Sequence, residues 1–125
     1  MQTNKKYKPV NFAEKFNLFH EHWTPKVIAE LNDYQFKLAR LKGEFVWHKH
    51  DDSDEAFIVI EGDMTIVFKD GHVKLTNGEM FVVPKGVEHK PQASDECLVL
   101  LLEPKGIINT GDILNELTAK NDVWI

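Results

Sequence analysis

Two histidines and a glutamate stand close together in the stretch WHKHDDSDE, residues 47–55. His48 and His50 are two residues apart, and Glu55 follows five residues after the second histidine. In a β-strand, residues two apart point to the same face, so a strand here would project both imidazoles together. Imidazole nitrogens and carboxylate oxygens are ligands for divalent metal ions. The spacing therefore predicts half of a metal site, with Glu55 opening the neighbouring strand.

A second segment, GEMFVVPKGVEHK, could supply the other half. Gly78 precedes its apolar run, Pro84 and Gly86 break it, and His89 follows. If this segment lies on an adjoining strand, His89 is a fourth ligand. Three neutral imidazoles and one carboxylate suit first-row divalent metals and leave positions for water or substrate. Zinc, iron, manganese, nickel, cobalt and copper are all compatible with such a set.

The chain contains a natural comparison in FHEHW, where His20 and His22 are also two residues apart. This pair lies in or beside a helical segment, and residues two apart on a helix do not face each other. Val27 stands where the matching glutamate would be. We therefore expect His20 and His22 to have an ordinary solvated role.

The remaining sequence predicts the elements that must position these residues. Short apolar segments broken by turn dipeptides predict eight or nine short strands, which is typical of an antiparallel sandwich or small barrel. Asp70-Gly71 and Asn77-Gly78 favour tight turns, so each is predicted to join a hairpin. The strand segments are 26–31, 34–42, 44–50, 55–62, 64–69, 72–76, 79–83 and 97–103.

Helical pieces are predicted only near the two ends. Asn11 could cap a short helix over residues 11–19, and Asp112 could cap another over ILNEL, residues 113–117. Several strands are apolar on both faces. One face can fill the barrel, and the other needs a cover, either the terminal segments or a second subunit. Trp23 and Trp124 are expected to help cover the outer face.

Taken together, GEFVWHKHDDSDEAFIVIEG and GEMFVVPKGVEH make the chain resemble the cupin superfamily, over roughly residues 26–103. Two departures stand out. The spacer from Gly43 to His48 has four residues instead of the usual five, and Ala93 replaces an asparagine that is often found there. The chain is most similar to small bacterial single-domain cupins that are often labelled mannose-6-phosphate-isomerase-like, although a shared fold does not establish a shared function.

The resemblance implies an all-β fold, a double-stranded β-helix of the jelly-roll type, with short N- and C-terminal helical segments. Its metal ligands would be His48, His50, Glu55 and His89. We expect one cupin domain over residues 1–125, with the barrel core at about 26–103, an N-terminal helical segment at 10–24 and a C-terminal tail at 104–125. Small cupins of this kind usually dimerise, so a homodimer is expected.

Arg40 is the only arginine of the chain and alternates with Leu38 and Phe36 on an apolar strand face. A buried arginine must be paired or must serve an anion. Arg40 could therefore form a structural pair with a glutamate, or it could clamp a substrate carboxylate or phosphate at the barrel mouth. Glu44 and Glu61 are candidates for a general base by position alone.

Composition excludes several classes of function. The 125 residues carry a net charge of −5 without a basic stripe, which argues against nucleic acid as a partner. No apolar run approaches the length of a membrane span. The single cysteine, Cys97, cannot form an internal disulfide, which favours a reducing, cytoplasmic setting.

The sequence thus predicts a metal-binding cupin of undetermined activity with a small-molecule ligand. It leaves open whether the protein is an enzyme. The favoured class is a metal-dependent enzyme of the oxygenase or small-acid type acting on a small polar organic molecule. One alternative is a sugar-phosphate isomerase, and another is a non-enzymatic module that binds a small metabolite. With Arg40 as the one interior cation, an apolar barrel would hold a doubly charged phosphate poorly.

Overall fold

The computed structural model describes residues 6–125, and within them one short helix precedes seven strands. The elements are α1 (Phe12–Phe16), β1 (Lys26–Leu31), β2 (Tyr34–Glu44), β3 (Glu55–Glu61), β4 (Met64–Phe68), β5 (Gly71–Leu75), β6 (Met80–Val83) and β7 (His89–Pro104). Within residues 6–125, no helix has the length and apolarity needed to cross a membrane.

All strand pairs are antiparallel, and the main path of the sheet runs β1-β2-β7-β3-β6. The sixteen-residue strand β7 closes the barrel because its two halves have different neighbours. Its first residues pair with β4, as in Phe68 opposite His89, while its second half runs between β2 and β3. The all-β double-stranded β-helix barrel predicted from the sequence is confirmed.

Two predictions about the strands are wrong. Within residues 6–125 the chain has seven strands instead of eight or nine, because residues 45–50 form no strand, and the last strand is longer than predicted because residues 89–104 are continuous. The segment 44–50 leaves β2 at Glu44 and continues in irregular, extended form, with a single bridge between His48 and His89. That bridge places His48 beside His89.

The second predicted hairpin does not form either. β5 pairs with β4 as expected, but β6 pairs with β3 instead of β5. The Asn77-Gly78 turn therefore carries the chain from β5, which pairs with β4, to β6, which pairs with β3. The side chain of Asn77 accepts a hydrogen bond of 2.7 Å from the backbone N–H of Gly62, which anchors the turn to the end of β3.

The two ends of the chain differ from each other. At the N-terminal end, Asn11 caps α1 as predicted, and its side chain accepts from the Glu14 N–H at 3.0 Å. The helix predicted at residues 113–117 is absent. Leu114 is 76% exposed and Ile113 39% exposed, so too little of this segment is buried to stabilise so short a helix. The Asp112 side chain instead accepts from the Lys49 N–H at 3.1 Å.

Two apolar clusters pack on opposite faces of the main sheet. The inner face of β2 contributes Ala39 and Leu41 to a cluster inside the barrel. The outer face contributes Leu38 to a cluster beneath α1, with Phe16 and Phe19. The C-terminal tail returns to β1, where the Val27 N–H donates to the Val123 carbonyl at 2.7 Å. The expected single domain stays a prediction, and its residues 1–5 lie outside the described part.

Candidate metal centre

Three separate segments bring the predicted ligands to one point inside the barrel. His48 and His50 lie on the extended segment after β2, Glu55 opens β3, and His89 opens β7. Backbone hydrogen bonds of 3.0 and 2.9 Å join His48 and His89 in both directions. The carbonyl of His50 accepts from the Gly86 N–H at 2.8 Å, so the Pro84–Gly86 turn holds the second histidine in place.

The four side chains are buried and converge. One ligand atom from each of His48, His50, Glu55 and His89 lies within 4.8 Å of every other. Oε1 of Glu55 is 3.5 Å from Nε2 of His50 and 3.6 Å from Nε2 of His89. His89 has no exposed surface at all. The spacing between these donor atoms is that of groups arranged around a common centre.

The hydrogen bonds of two imidazoles determine which nitrogen faces that centre. Nδ1 of His48 lies 2.9 Å from the Val46 carbonyl oxygen, and Nδ1 of His89 lies 2.9 Å from the Val87 carbonyl oxygen. A carbonyl only accepts, so Nδ1 carries the proton in both rings. Nε2 is then left with its lone pair toward the centre, which is the arrangement that a metal-binding histidine needs.

Burial and neighbouring charges keep this group in a metal-binding protonation state. Burial, followed by the nearby His89, lowers the pKa of His48 to about 4. Burial alone would raise the pKa of the Glu55 carboxyl, but the imidazoles of His50 and His89 hold that pKa well below its ordinary value. Neutral imidazole and ionised carboxylate are the forms that bind metals.

Three of the converging atoms have no hydrogen-bond partner. They are Nε2 of His50, Oε1 of Glu55 and Nε2 of His89. Buried polar atoms in folded proteins are almost always paired, so unpaired ones need an explanation. A divalent metal ion would satisfy all three at once, and the donor types suit it. The His/Glu group therefore fits a metal, whose identity the donor set does not determine.

Comparison with known proteins agrees with the fold and with the motifs. The family model described as "Cupin domain" matches residues 38–103, which is more than half of the chain. The chain belongs to the cupin family. The match includes all four converging residues and leaves out α1, most of the N-terminal region and the C-terminal tail.

Three relatives show how this cupin compares with other bacterial proteins. A cupin-2 domain containing protein from Shewanella frigidimarina NCIMB 400 is 58% identical with a TM-score of 0.76, over 77% of this chain and 94% of that one. Protein NMB1881 from Neisseria meningitidis is 34% identical with a TM-score of 0.72, over 78% and 100%. YdbB of Bacillus subtilis (strain 168) is 40% identical over 79 residues, 62% of this chain and 70% of YdbB.

A mostly apolar cavity adjoins the His/Glu group. Its volume is about 30 Å³, and His48 and Glu55 form part of its wall. Its other polar lining residues are Glu103 and Asn109. The Asn109 side chain is already engaged, since it donates to the carbonyls of Trp23 and Leu117. Glu103 is thus the polar group of the wall that retains capacity for a further hydrogen bond.

Arg40 does not line this cavity, so its expected interior position is corrected. On β2, Ala39 and Leu41 face inward, and Arg40 between them faces the outer cluster. Its guanidinium donates to the carbonyls of Phe16 and Phe19 at 2.8 and 2.9 Å, and to Glu96 at 2.7 Å. In the structure, Arg40 is therefore a structural residue that pairs with Glu96. The sequence could not show which face of β2 points inward, because both faces carry apolar residues.

The buried cation of the inner face is Lys37, which the sequence analysis missed. Lys37 lies on β2 and its ammonium donates to Oε1 of Glu103 at 2.9 Å. Burial, followed by the negative charge of Glu55, raises the pKa of Glu103 well above its ordinary value, against the opposing effect of Lys37. In the sequence, Lys37 alternates with Ala39 and Leu41, so the three residues share one face of β2. That alternation would have identified Lys37 as an inner residue if the sequence had shown which face points inward.

The remaining site candidates lie elsewhere or have other roles. Glu44 is exposed and paired with Lys90, and Glu61 is exposed, so neither base candidate reaches the cavity. Trp23 was expected on the outer face but lies in the inner cluster, stacked on Phe45 with 4.6 Å between ring centroids. The positive φ of Trp23, 59°, turns the chain into the barrel at that point.

Proposed function

We propose that this cupin is a metal-dependent enzyme that acts on a small organic molecule through one of its oxygen atoms. The observation that carries the proposal is the convergence of buried, unpaired donor atoms at one side of a mostly apolar cavity. A site that served only the fold would have its polar atoms paired with one another or with the backbone.

In this proposal the four converging residues are the metal ligands. His48, His50, His89 and Glu55 would hold the ion, which could be zinc, iron, manganese, nickel, cobalt or copper. When bound, the ion supplies a Lewis acid for a carbonyl or hydroxyl oxygen, or a site for oxygen itself. The Val46 and Val87 carbonyls keep the rings of His48 and His89 in the required orientation.

The cavity walls favour a substrate with an apolar body. Trp23 and Phe45 form a stacked pair on one side, and Phe57 and Leu101 add further apolar surface. Such walls exclude water and bind apolar groups, while the few polar groups orient the ligand. We therefore assign the substrate to the oxygenase or small-acid class, with one oxygen-bearing group directed toward the His/Glu group.

The same walls argue against a sugar phosphate. Within residues 6–125, the residues lining this cavity include no lysine and no arginine. The nearby Lys37 is bound to Glu103, and Arg40 is bound on the outer face. A phosphate dianion in an apolar cavity without a free cationic side chain would be disfavoured.

The proposal is tested by loading metal-free protein separately with iron(II) and zinc. Phenolic and dicarbonyl compounds would be offered beside hexose and pentose phosphates, and oxygen uptake and aldose–ketose conversion would be followed together. We expect turnover of a compound without phosphate. That turnover should disappear in His89→Ala and persist in the His20→Ala/His22→Ala double variant, which removes the exposed pair.

Two other outcomes would contradict the proposal. Zinc-supported interconversion of a sugar phosphate would favour the isomerase. Tight binding of one compound without turnover, with either metal, would favour a binding module.

A further inference from the structure

A buried ion pair lies on the inner face of the barrel, directly behind the metal centre. It joins Lys37 on β2 to Glu103 on β7, and the two side chains are only 4% and 3% exposed. Burying two charges is costly, and well-packed apolar residues often stabilise a fold as well or better. Stability of the barrel therefore does not by itself explain why this pair is here.

Strand register places Glu103 against Glu55. Ala56 of β3 pairs with Leu102 of β7 in antiparallel register, so the next residues along, Glu55 and Glu103, stand opposite each other. Both side chains line the same cavity, and Oε2 of Glu103 and Oε1 of Glu55 are buried there without a hydrogen-bond partner. The Lys37–Glu103 pair thus reaches the cavity wall at the residue that stands opposite Glu55.

The oxygen atoms of the two carboxyls have unequal partners. Oε1 of Glu103 is held by Lys37, while Oε2 of Glu103 and Oε1 of Glu55 have no hydrogen-bond partner. The terminal torsion of a glutamate is broad, so a carboxyl without partners can rotate. Glu103 stands opposite Glu55, and a proton shared between the two carboxyls would fix the orientation of Glu55.

We propose that Glu103, anchored by Lys37, is a positioning residue that holds the Glu55 carboxyl toward the three imidazoles. Residues that orient a metal ligand typically change metal affinity by about 10- to 100-fold when they are replaced. This inference rests on the proposed function, since it requires Glu55 to be a ligand. It assigns Glu103 no contact with the metal itself.

A matched pair of double variants separates positioning from general structural support. Lys37→Met/Glu103→Gln and Lys37→Met/Glu103→Leu both remove the ion pair, but only the glutamine keeps a hydrogen-bonding group opposite Glu55. Cobalt(II) would be titrated into metal-free protein by calorimetry, and its visible absorption spectrum would be recorded. We expect the leucine variant to bind cobalt about 10- to 100-fold more weakly than the glutamine variant, with a changed spectrum.

Two further variants complete the experiment. Lys26→Met removes another buried lysine, whose partner is Glu21 and which lies beside the Phe19 ring on the outer side, and it should bind cobalt like the unsubstituted protein. Glu103→Asp keeps a carboxyl group but moves it away from Glu55, so it should weaken cobalt binding even if a double variant fails to fold.

The inference is overturned on its own if the unsubstituted protein binds cobalt while the two double variants give equal affinities and spectra. It is likewise overturned if a double variant fails to fold and Glu103→Asp binds as tightly as the unsubstituted protein. Absence of cobalt binding by the unsubstituted protein would overturn both this inference and the proposed function.

Discussion

The two faces of β2 each carry a cation paired with a glutamate, Lys37 buried and Arg40 partly buried, yet the two pairs differ in what they leave unpaired. On the outer face, Arg40 donates to Glu96 and to two backbone carbonyls. On the inner face, Lys37 holds one oxygen of Glu103 and leaves the other without a donor. The buried side-chain atoms without partners among residues 6–125 all belong to the inner side. Unused hydrogen-bonding capacity, more than burial or charge, distinguishes a candidate site from a structural contact.

The largest expected effect comes from substituting the proposed metal ligands inside the barrel. Replacement of His48, His50 or His89 by alanine should weaken metal binding by more than about 100-fold, beyond the loss caused by a residue that only orients a ligand. The His20→Ala/His22→Ala double change should leave the metal content of the purified protein unchanged. Elemental analysis measures both. If the double change also empties the protein of metal, the assignment of ligands is wrong.

Substitution of Arg40 on the outer face of β2 should lower the stability of the fold and leave metal binding unchanged. Arg40→Met removes hydrogen bonds from a charged donor to Phe16, Phe19 and Glu96, so the free energy of unfolding should fall by roughly 2–4 kcal/mol. Urea denaturation measures this change, and cobalt affinity should stay the same. A variant with normal stability but poor substrate binding would restore the role of substrate clamp that the sequence first indicated for Arg40.

Burial of His48 also makes the metal-free protein sensitive to pH. The folded pKa of His48, about 4, lies below its ordinary value of 6.5. Between these two values the unfolded chain binds a proton that the folded chain does not. Stability is therefore full above pH 6.5 and falls toward pH 4, by roughly 2–3 kcal/mol from this residue. Urea denaturation of metal-free protein should give a flatter pH profile for His48→Gln than for the unsubstituted chain, and equal slopes would contradict this.

The smallest effect concerns the part of the outer face that α1 leaves uncovered. Met80 and Val82 on β6 are 53% and 44% exposed, and Met80 pairs in register with Ile58. We expect this surface to lie in the predicted homodimer, so Met80→Lys/Val82→Lys should weaken the dimer by about tenfold or more. Light scattering at micromolar concentration should show twice 14.4 kDa for the unsubstituted protein. A monomer would refute the homodimer.

The convergence of the His/Glu group could be anticipated because its residues follow local rules. Alternation along an extended segment brings His48 and His50 together, and the Pro84–Gly86 turn sets the entry to His89. The residues that support the centre could not be found this way. Lys37 and Glu103 are far apart in the chain, and only the register of β2 and β7 brings them together. Because both faces of β2 carry apolar residues, the sequence pattern does not show that Lys37 points inward and Arg40 points outward.

The errors in the strand assignment have a similar cause. A turn dipeptide such as Asn77-Gly78 indicates a reversal of the chain but not the strand that will be its neighbour. Here β6 pairs with β3 across the barrel. The C-terminal tail carried no periodic signal, yet it closes against the site, since a Cβ added to Gly111 would collide with the Lys49 carbonyl and contact the His48 ring.

The central claim is that His48, His50, Glu55 and His89 bind one metal ion. The most direct test is a crystal of protein purified without chelators, with diffraction recorded on both sides of the absorption edge of the metal found by elemental analysis. The account predicts one anomalous peak per chain, bounded by the Nε2 atoms of the three histidines and the Glu55 carboxylate. A map without a peak at that point, or with its main peak at His20 and His22, would contradict it.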